Sequence, residues 1–169
     1  KQHRRKIVIS TNFSGRHFES DGEEFLNRIQ HVLSKYSVRP EYIEIEVTEG
    51  VLVKNVAVLE KCMNRLHEIG FRVAIDDFGT GYSSLSVLAD MPADVIKIDK
   101  SFIKGMTEQK KNLLYEIGRM VKILQKDIII EGVETEEQEQ FLKEGGFTCG
   151  QGYLCNCPVP IGDFEKMYL

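Results

Sequence analysis

Short runs of β-branched and other apolar residues alternate with longer amphipathic segments along the whole chain. Short apolar runs bounded by turn residues are typical of strands. The predicted strands are Ile7–Thr11, Ile43–Val47, Arg72–Ile75, Val95–Ile98, Asp127–Ile130 and, as the weakest signal, Phe147–Gly150. Strands that alternate with helical segments predict parallel β-α units.

The segments between these strands repeat their apolar residues at helical spacing. The clearest stripes run from Phe25 to Tyr36, from Leu59 to Ile69 and from Leu113 to Leu124. Gly70 is placed to end the second helix, and Thr107 is placed to cap the third. A fourth helix begins with a capping box, in which Thr135 and Gln138 pair, and ends at Gly145. We expect these helices to cover the strands.

Parallel β-α units form either an open doubly wound sheet or a closed barrel. The open sheet usually carries a glycine-rich phosphate turn after its first strand, whereas this first strand runs into Asn12-Phe13-Ser14. Barrels distribute their chemistry over many strand ends, as this sequence does. We therefore expect an α/β fold of the barrel type, with about six β-α units.

Composition narrows the classes of partner. The chain has 169 residues, 22 basic against 26 acidic side chains and a net charge of −4, which gives no attraction to a nucleic-acid polymer. No apolar run approaches the roughly 20 residues that cross a bilayer. We expect a single domain without a membrane span, located in the cytoplasm, although the parent protein could be tethered to a membrane.

Polar side chains end most of the predicted strands. Because side chains alternate between the two faces of a strand, counting by two places these polar residues on one face and their apolar neighbours toward the helices. The polar set is Asn12, Glu46, Asp76, Lys97 with Asp99, Glu131 and Gln151. Converging carboxylates repel one another unless cations neutralise them, so the set predicts bound metal. Oxygen ligands without His or Cys favour Mg²⁺ or Mn²⁺ over Zn²⁺.

Six motifs in this order resemble the EAL domain family over almost the whole chain. They are Asn12-Phe13-Ser14, Glu46-Val47-Thr48-Glu49, the ten residues from Asp76 to Leu85, Lys97-Ile98-Asp99, Glu131-Gly132-Val133-Glu134-Thr135 and Gln151-Gly152-Tyr153. The resemblance implies a modified TIM (β/α) barrel used in bacterial second-messenger signalling. It also implies hydrolysis of one phosphodiester of cyclic di-GMP, giving linear pGpG, with two Mg²⁺ or Mn²⁺ ions.

The resemblance implies a role for each matching acidic or amide residue. Asn12, Glu46 and Asp76 are similar to the ligands of one metal ion. Asp77 corresponds to a ligand of the second ion, and Asp76 is placed to bridge the two. Glu131 is implied as a metal ligand or as the base for the attacking water.

Further roles follow from the same resemblance. Lys97 matches the family lysine that holds the water and stabilises the developing phosphorane charge. Asp99, Glu134 and Gln151 are expected to contact the substrate or the metal ligands. Glu49 is expected to anchor the loop of residues 78–84, which in the family couples the metals to a dimer surface.

One part of the family pattern is not found. No Glu-Ala-Leu strand precedes Asn12, so the first metal-binding glutamate of the family is absent from these residues. A complete barrel has about 250 residues. We therefore expect residues 1–169 to be a single EAL domain fragment, the C-terminal two-thirds of the barrel. The parent protein is expected to be active, and the isolated fragment weak or inactive.

Two alternatives to the enzyme follow from the sequence. A naturally shortened domain would act as a non-catalytic module that binds cyclic di-GMP or dimerises. An enolase-like barrel would also use lysine and carboxylates, but it gives no reason for the block from Asp76 to Leu85. The retained catalytic set favours the phosphodiesterase. The resemblance further predicts a homodimer and a GGDEF or sensory domain in the parent protein.

Overall fold

The six predicted strands and the four predicted helices occur along the chain in the order that the sequence predicts, together with three shorter helices. The computed structural model describes residues 7–14, 23–52, 56–81 and 84–169. The strands are β1 (Ile9–Phe13), β2 (Ile43–Thr48), β3 (Arg72–Phe78), β4 (Val95–Ile98), β5 (Asp127–Glu131) and β6 (Gly150–Gln151). The helices are α1 (Glu23–Tyr36), α2 (Glu49–Leu52), α3 (Val56–Ile69), α4 (Leu85–Asp90), α5 (Glu108–Ile123), α6 (Glu136–Glu144) and α7 (Ile161–Tyr168), with 3₁₀ turns at Pro40–Tyr42 and Lys100–Phe102.

The six strands form one sheet in sequence order, from β1 to β6, and every neighbouring pair is parallel. A parallel sheet in sequence order with intervening helices is part of a β/α barrel rather than a doubly wound sheet, whose order would reverse. The described strands make a half-barrel. The predicted fold class is confirmed.

Local signals set the helix ends that the sequence predicted. Thr107 caps α5, where its side chain accepts a hydrogen bond from the Lys110 N–H. Thr135 and Gln138 form the complete capping box of α6, and Gly145 is the C-cap residue. The Thr107 and Thr135 side chains thereby satisfy backbone donors that a helix start leaves without partners. No helix within the described ranges is long and apolar enough to cross a membrane.

The helix-facing side of the sheet is the hydrophobic core. Ile45, Val73, Ile75, Ile96 and Ile130 are all at most 1% exposed. The first strand differs from the prediction, because Ile9 is 62% exposed rather than covered by helices. β1 is an edge of the sheet, so fewer elements contact its outer face.

The opposite side of the sheet is polar at both of its ends. Near the N-terminal ends of the strands, Ser10 Oγ donates to Glu44 Oε1 at 2.9 Å. The Nε atom of Arg72 lies 3.7 Å from Glu44 Oε2. Arg72 Nη2 also donates to Asp127 Oδ2 at 2.6 Å. The second polar layer, at the C-terminal ends, contains the predicted site.

The last predicted strand was placed too early. It was expected over Phe147–Gly150, whereas β6 comprises Gly150–Gln151. Phe147 instead packs between helices, with its ring stacked on Tyr115 at a centroid distance of 6.2 Å. A half-buried aromatic residue satisfies the apolar pattern of a strand and of a helix-packing loop equally well, so the pattern alone did not separate them.

Candidate metal and catalytic site

Three strands bring carboxylates around one lysine, which lies on a fourth strand between them. Lys97 on β4 is 3% exposed. Its Nζ lies 2.7 Å from Glu46 Oε1 on β2, 3.1 Å from Asp76 Oδ1 on β3 and 2.8 Å from Glu131 Oε1 on β5. The side chains that strand alternation placed on one face therefore meet at the C-terminal ends of β2 to β5.

The charged groups in this cluster shift one another's pKa values. Burial disfavours the charged form of Lys97, but its hydrogen bonds to Glu131 and Glu46 outweigh burial and raise the pKa of the ammonium. Burial raises the pKa of Glu131, and the charges of Asp76 and Asp77 add to this rise, while Lys97 opposes it. Burial followed by the charge of Asp76 likewise raises the pKa of Asp77. The cluster thus holds more negative charge than one lysine neutralises.

Three of the carboxylates fit a divalent cation. One oxygen each of Asp76, Asp77 and Glu131 lies within 4.8 Å of the other two. Asp76 Oδ1 is buried and accepts no hydrogen bond within the described residues, because its 3.1 Å contact with Lys97 Nζ lacks hydrogen-bond geometry. A buried carboxylate oxygen without a hydrogen bond is costly, so Asp76 Oδ1 would gain from a bound divalent cation in addition to the charge of Lys97. Hard oxygen donors of this kind suit Mg²⁺ or Mn²⁺.

Asp77 reaches the cluster because the end of β3 is irregular. Strict alternation would direct Asp77 to the helix side, opposite to Asp76. The register between β3 and β4 shifts between Ile75 and Phe78, and Asp77 has a φ of 55°. This left-handed conformation brings the Asp77 carboxylate to the same side as that of Asp76.

The loop after Asp77 is tied to the first residue of α2. Glu49 is 2% exposed, and its Oε2 accepts hydrogen bonds from the N–H groups of Gly79 at 2.8 Å and Gly81 at 2.9 Å. Thr80 donates to the Asp77 carbonyl oxygen from its N–H at 3.2 Å and from its Oγ1 at 2.8 Å. The backbone that follows Asp77 is therefore held at several points.

Asn12 and Gln151 lie at the two sides of the cluster. Asn12 on β1 is in register with Glu46, and Gln151 on β6 is in register with Glu131. Both residues are exposed. The sheet places them at the same end as the carboxylates, next to the strands that carry the cluster.

Asp99 and Glu134 have local structural contacts. Asp99 caps the 3₁₀ turn by accepting from the Ser101 N–H at 2.9 Å. Burial acts to raise the pKa of Asp99, but the hydrogen bonds from Ser101 and Lys100 outweigh it and lower the pKa. Glu134 is exposed, and its N–H donates to Gln138 Oε1 at 2.7 Å. The structure thus gives Asp99 a capping contact that the motif alone did not predict.

Phe102 is a neighbour of the site that the sequence analysis missed. Its half-buried ring lies against Gly79 in the loop after Asp77. The contact joins the segments that follow β3 and β4, so no local pattern in the sequence indicates it.

The fold and the site together define a parallel β/α-barrel domain with a lysine and carboxylate cluster at the C-terminal strand ends, where barrel enzymes place their catalytic residues. The sequence profile of the EAL domain matches residues 1–158. The chain belongs to the EAL domain family.

One curated relative is the cyclic di-GMP phosphodiesterase NbdA of Pseudomonas aeruginosa. It is 36% identical over 143 residues, which cover 83% of this chain and 18% of NbdA. The chain spans between 18% and 27% of the length of three curated relatives that it matches.

Solved structures of similar fold include ligand complexes. The PaMucR phosphodiesterase in complex with c-di-GMP is 32% identical with a TM-score of 0.84, covering 93% of this chain and 64% of that chain. The manganese and cyclic di-GMP complex of Klebsiella pneumoniae BlrP1 is 28% identical with a TM-score of 0.80, covering 88% of this chain and 38% of that chain.

Proposed function

We propose that this chain carries most of the catalytic site of a metal-dependent phosphodiesterase that hydrolyses cyclic di-GMP to linear pGpG. The observation that carries the proposal is the convergence of Asp76, Asp77 and Glu131, with their oxygens within 4.8 Å of one another, beside the buried Lys97. A relative with this activity and neighbours that bind cyclic di-GMP, one of them with manganese, support it.

The metal ligands proposed are those that the family resemblance implies. Asn12, Glu46 and Asp76 would hold one Mg²⁺ or Mn²⁺ ion, Asp77 a second, and Asp76 would contact both. Such ions polarise a phosphoryl oxygen and lower the pKa of a bound water to near neutrality. Glu131 serves either as a further ligand or as the base that accepts the proton of the attacking water.

Lys97 supplies fixed positive charge in this site. Its ammonium lies within 3.1 Å of three carboxylates, so it stays protonated and is oriented without rearrangement. A fixed cation in a buried site stabilises negative charge that develops on a reacting phosphate. Asp99, Glu134 and Gln151 are proposed to contact the substrate or the ligands, and Glu49 to keep the loop of residues 78–84 in place.

We further propose that residues 1–169 are the C-terminal two-thirds of one barrel domain in a longer protein. The exposed side chains of β1 agree with this, and the part of the chain that the structure describes has six strands, whereas a complete barrel has eight. The homodimer and the GGDEF or sensory domain remain predictions from the family resemblance, and the cytoplasmic location remains a prediction from the composition of the sequence.

The test is formation of linear pGpG from cyclic di-GMP with MnCl₂, followed by chromatography, using the longer protein that contains this chain. Asp76→Asn and Glu131→Gln are expected to lower the rate at least about 100-fold, because losing several kcal/mol of charge stabilisation has an effect of this size. Glu60→Gln is the matched control, since Glu60 is an exposed carboxylate on α3.

Three other results would change the assignment. Unchanged rates in Asp76→Asn and Glu131→Gln would remove the proposed site. Binding of cyclic di-GMP without hydrolysis by the wild-type protein would favour the non-catalytic module. Rapid manganese-dependent hydrolysis by the isolated 169 residues would show that the missing glutamate is dispensable.

A further inference from the structure

The chain has positive φ angles at two positions where β3 passes into the following loop. Asp77 has a φ of 55° and Gly79 a φ of 96°. A non-glycine residue with positive φ costs of order 1–3 kcal/mol and persists only where the surroundings hold it. The Asp77 carboxylate shares the cluster with Asp76 and Glu131, so its direction depends on whatever holds this loop.

Glu49 holds one side of the loop. Its carboxylate accepts from the N–H groups of Gly79 and Gly81, as described above. Hydrogen bonds to one oxygen fix the distance of the loop from α2. Both of these hydrogen bonds end on one oxygen, Glu49 Oε2, so they hold the loop from one side only.

Phe102 is in contact with the loop at Gly79. A β-carbon placed on Gly79 would lie 2.3 Å from Cε2 and 2.5 Å from Cζ of the Phe102 ring. The ring therefore fills the space that a side chain would otherwise take, and it packs directly on the backbone of the loop. The ring is also part of the layer that packs against the hydrophobic core.

Phe102 itself is well fixed. The Phe102 N–H donates to the Asp99 carbonyl oxygen at 3.1 Å, and the Asp99 N–H donates to the Phe78 carbonyl oxygen at 3.3 Å. The Asp99 side chain caps the same turn through Ser101. Phe102 therefore belongs to the turn that directly follows β4, the strand of Lys97. Through this turn, β4 also supports the loop that follows Asp77.

We infer that Phe102 is a positioning residue, whose ring fixes the Gly79 turn and thereby directs the Asp77 carboxylate at the second metal position. The inference rests on the proposed function. It assigns Phe102 no contact with substrate or metal. Its effect is expected on the affinity for one of two ions, because Asp76, Glu46 and Asn12 lie on strands, before the loop that Phe102 contacts.

The test is a titration of the longer protein with Mn²⁺, in which electron paramagnetic resonance counts bound ions and gives each dissociation constant. The wild type is expected to bind two ions at the site, and Asp77→Asn serves as the reference for loss of the second. Phe102→Ala is expected to raise the dissociation constant of the second Mn²⁺ ion at least about tenfold, because loss of a residue that orients a metal ligand typically has an effect of this size. The dissociation constant of the first ion is expected to stay unchanged. Phe102→Leu retains apolar bulk and should show a smaller loss.

Phe147→Ala is the matched control. Phe147 is also half-buried and also packs against glycines, since β-carbons on Gly118 and Gly145 would lie 2.7 Å and 2.9 Å from its ring. It packs among α5 and α6 rather than beside the Asp77 loop. We expect Phe147→Ala to lower the midpoint of thermal unfolding while both Mn²⁺ affinities stay at the wild-type values.

The outcomes separate the two proposals. If the wild type binds two ions and both Phe102 variants retain both affinities, the inference is wrong and the proposed function stands. The inference is also wrong, and the proposed function also stands, if Phe147→Ala lowers the affinity for the second Mn²⁺ ion as much as Phe102→Ala does. If the wild type neither binds Mn²⁺ nor hydrolyses cyclic di-GMP, both the function and the inference are wrong.

Discussion

Lys97 provides the positive charge against which the carboxylates of the site are arranged. Three carboxylate oxygens lie within 3.1 Å of its Nζ, in a position that is 3% exposed. Buried charges are stable only when they are paired and hydrogen-bonded. The lysine therefore contributes to the stability of the strand ends as well as to the proposed chemistry.

Lys97→Met is expected to destabilise the protein strongly when no metal is bound. Removing one partner of a buried ion cluster typically costs about 3–5 kcal/mol, because the remaining charges lose their compensation. Urea unfolding in the presence of a chelator measures this loss. Saturating MnCl₂ should restore a large part of it, since the ion takes over the neutralisation of Asp76 and Glu131.

Lys100→Met is the control for the lysine prediction. Lys100 is exposed and lies three residues further along the same segment. Exposed substitutions of this kind usually change the free energy of unfolding by no more than about 0.5 kcal/mol. Equal stabilities of Lys97→Met and Lys100→Met in chelator would contradict the neutralising role of Lys97.

At the scale of elements, local capping decides where α6 begins. The Thr135 side chain accepts from the Gln138 N–H at 3.2 Å, and Gln138 Oε1 accepts from the Thr135 N–H at 3.0 Å. Gln138 Nε2 also donates to the Ile103 carbonyl oxygen at 3.3 Å. The helix start is thereby connected to the segment that follows β4.

Thr135→Ala is expected to lower the free energy of unfolding by about 1 kcal/mol, because the N–H of Gln138 loses its capping acceptor. Urea denaturation with circular dichroism measures the change. Thr135→Ser keeps the hydroxyl group and should remain close to the wild type. The prediction is wrong if the alanine and serine variants are equally stable.

The sequence predicted long helices better than short ones. The helices α1, α3, α5 and α6 carry repeated apolar stripes or caps, whereas α2, α4 and α7 were not predicted. α4 has six residues and begins after Ser84, whose side chain accepts from the Val87 N–H at 3.2 Å. Six residues contain too few periods of an amphipathic pattern to be distinguished from a loop, so this helix depends on packing of Leu88 into the core.

At the scale of the whole molecule, the sheet has two edges. β1 and β6 are its outermost strands. Apolar side chains are exposed on or near them, with Ile9 at 62% and Tyr153 at 66%. Open strand edges with apolar neighbours pair with other chains unless something covers them. A barrel completed by further β-α units would remove both edges.

The isolated 169-residue polypeptide is therefore expected to self-associate at micromolar concentration, as measured by sedimentation velocity. Ile9→Lys places a charge on the β1 edge and should reduce the association. Ile123→Lys is the control, because Ile123 is 78% exposed at the end of α5 and does not belong to a sheet edge. A monomeric wild-type polypeptide would contradict the expectation.

Strand alternation and local caps determined much of this protein from the sequence. Alternation correctly placed Glu46, Asp76, Lys97 and Glu131 on one face, because a regular strand leaves its side chains only two directions. The capping box at Thr135 was equally predictable, since its hydrogen bonds form within four residues.

The tertiary structure alone decided the features that break this regularity. Asp77 joins the carboxylates only because its φ is 55° and the β3 register shifts beside it. Strand alternation would place Asp99 on the same face as Lys97, but β4 ends at Ile98 and Asp99 caps the following turn instead. The Phe102 ring meets Gly79 across two strand ends. A backbone turn and a contact between distant segments both depend on how the chain packs, which no local pattern specifies.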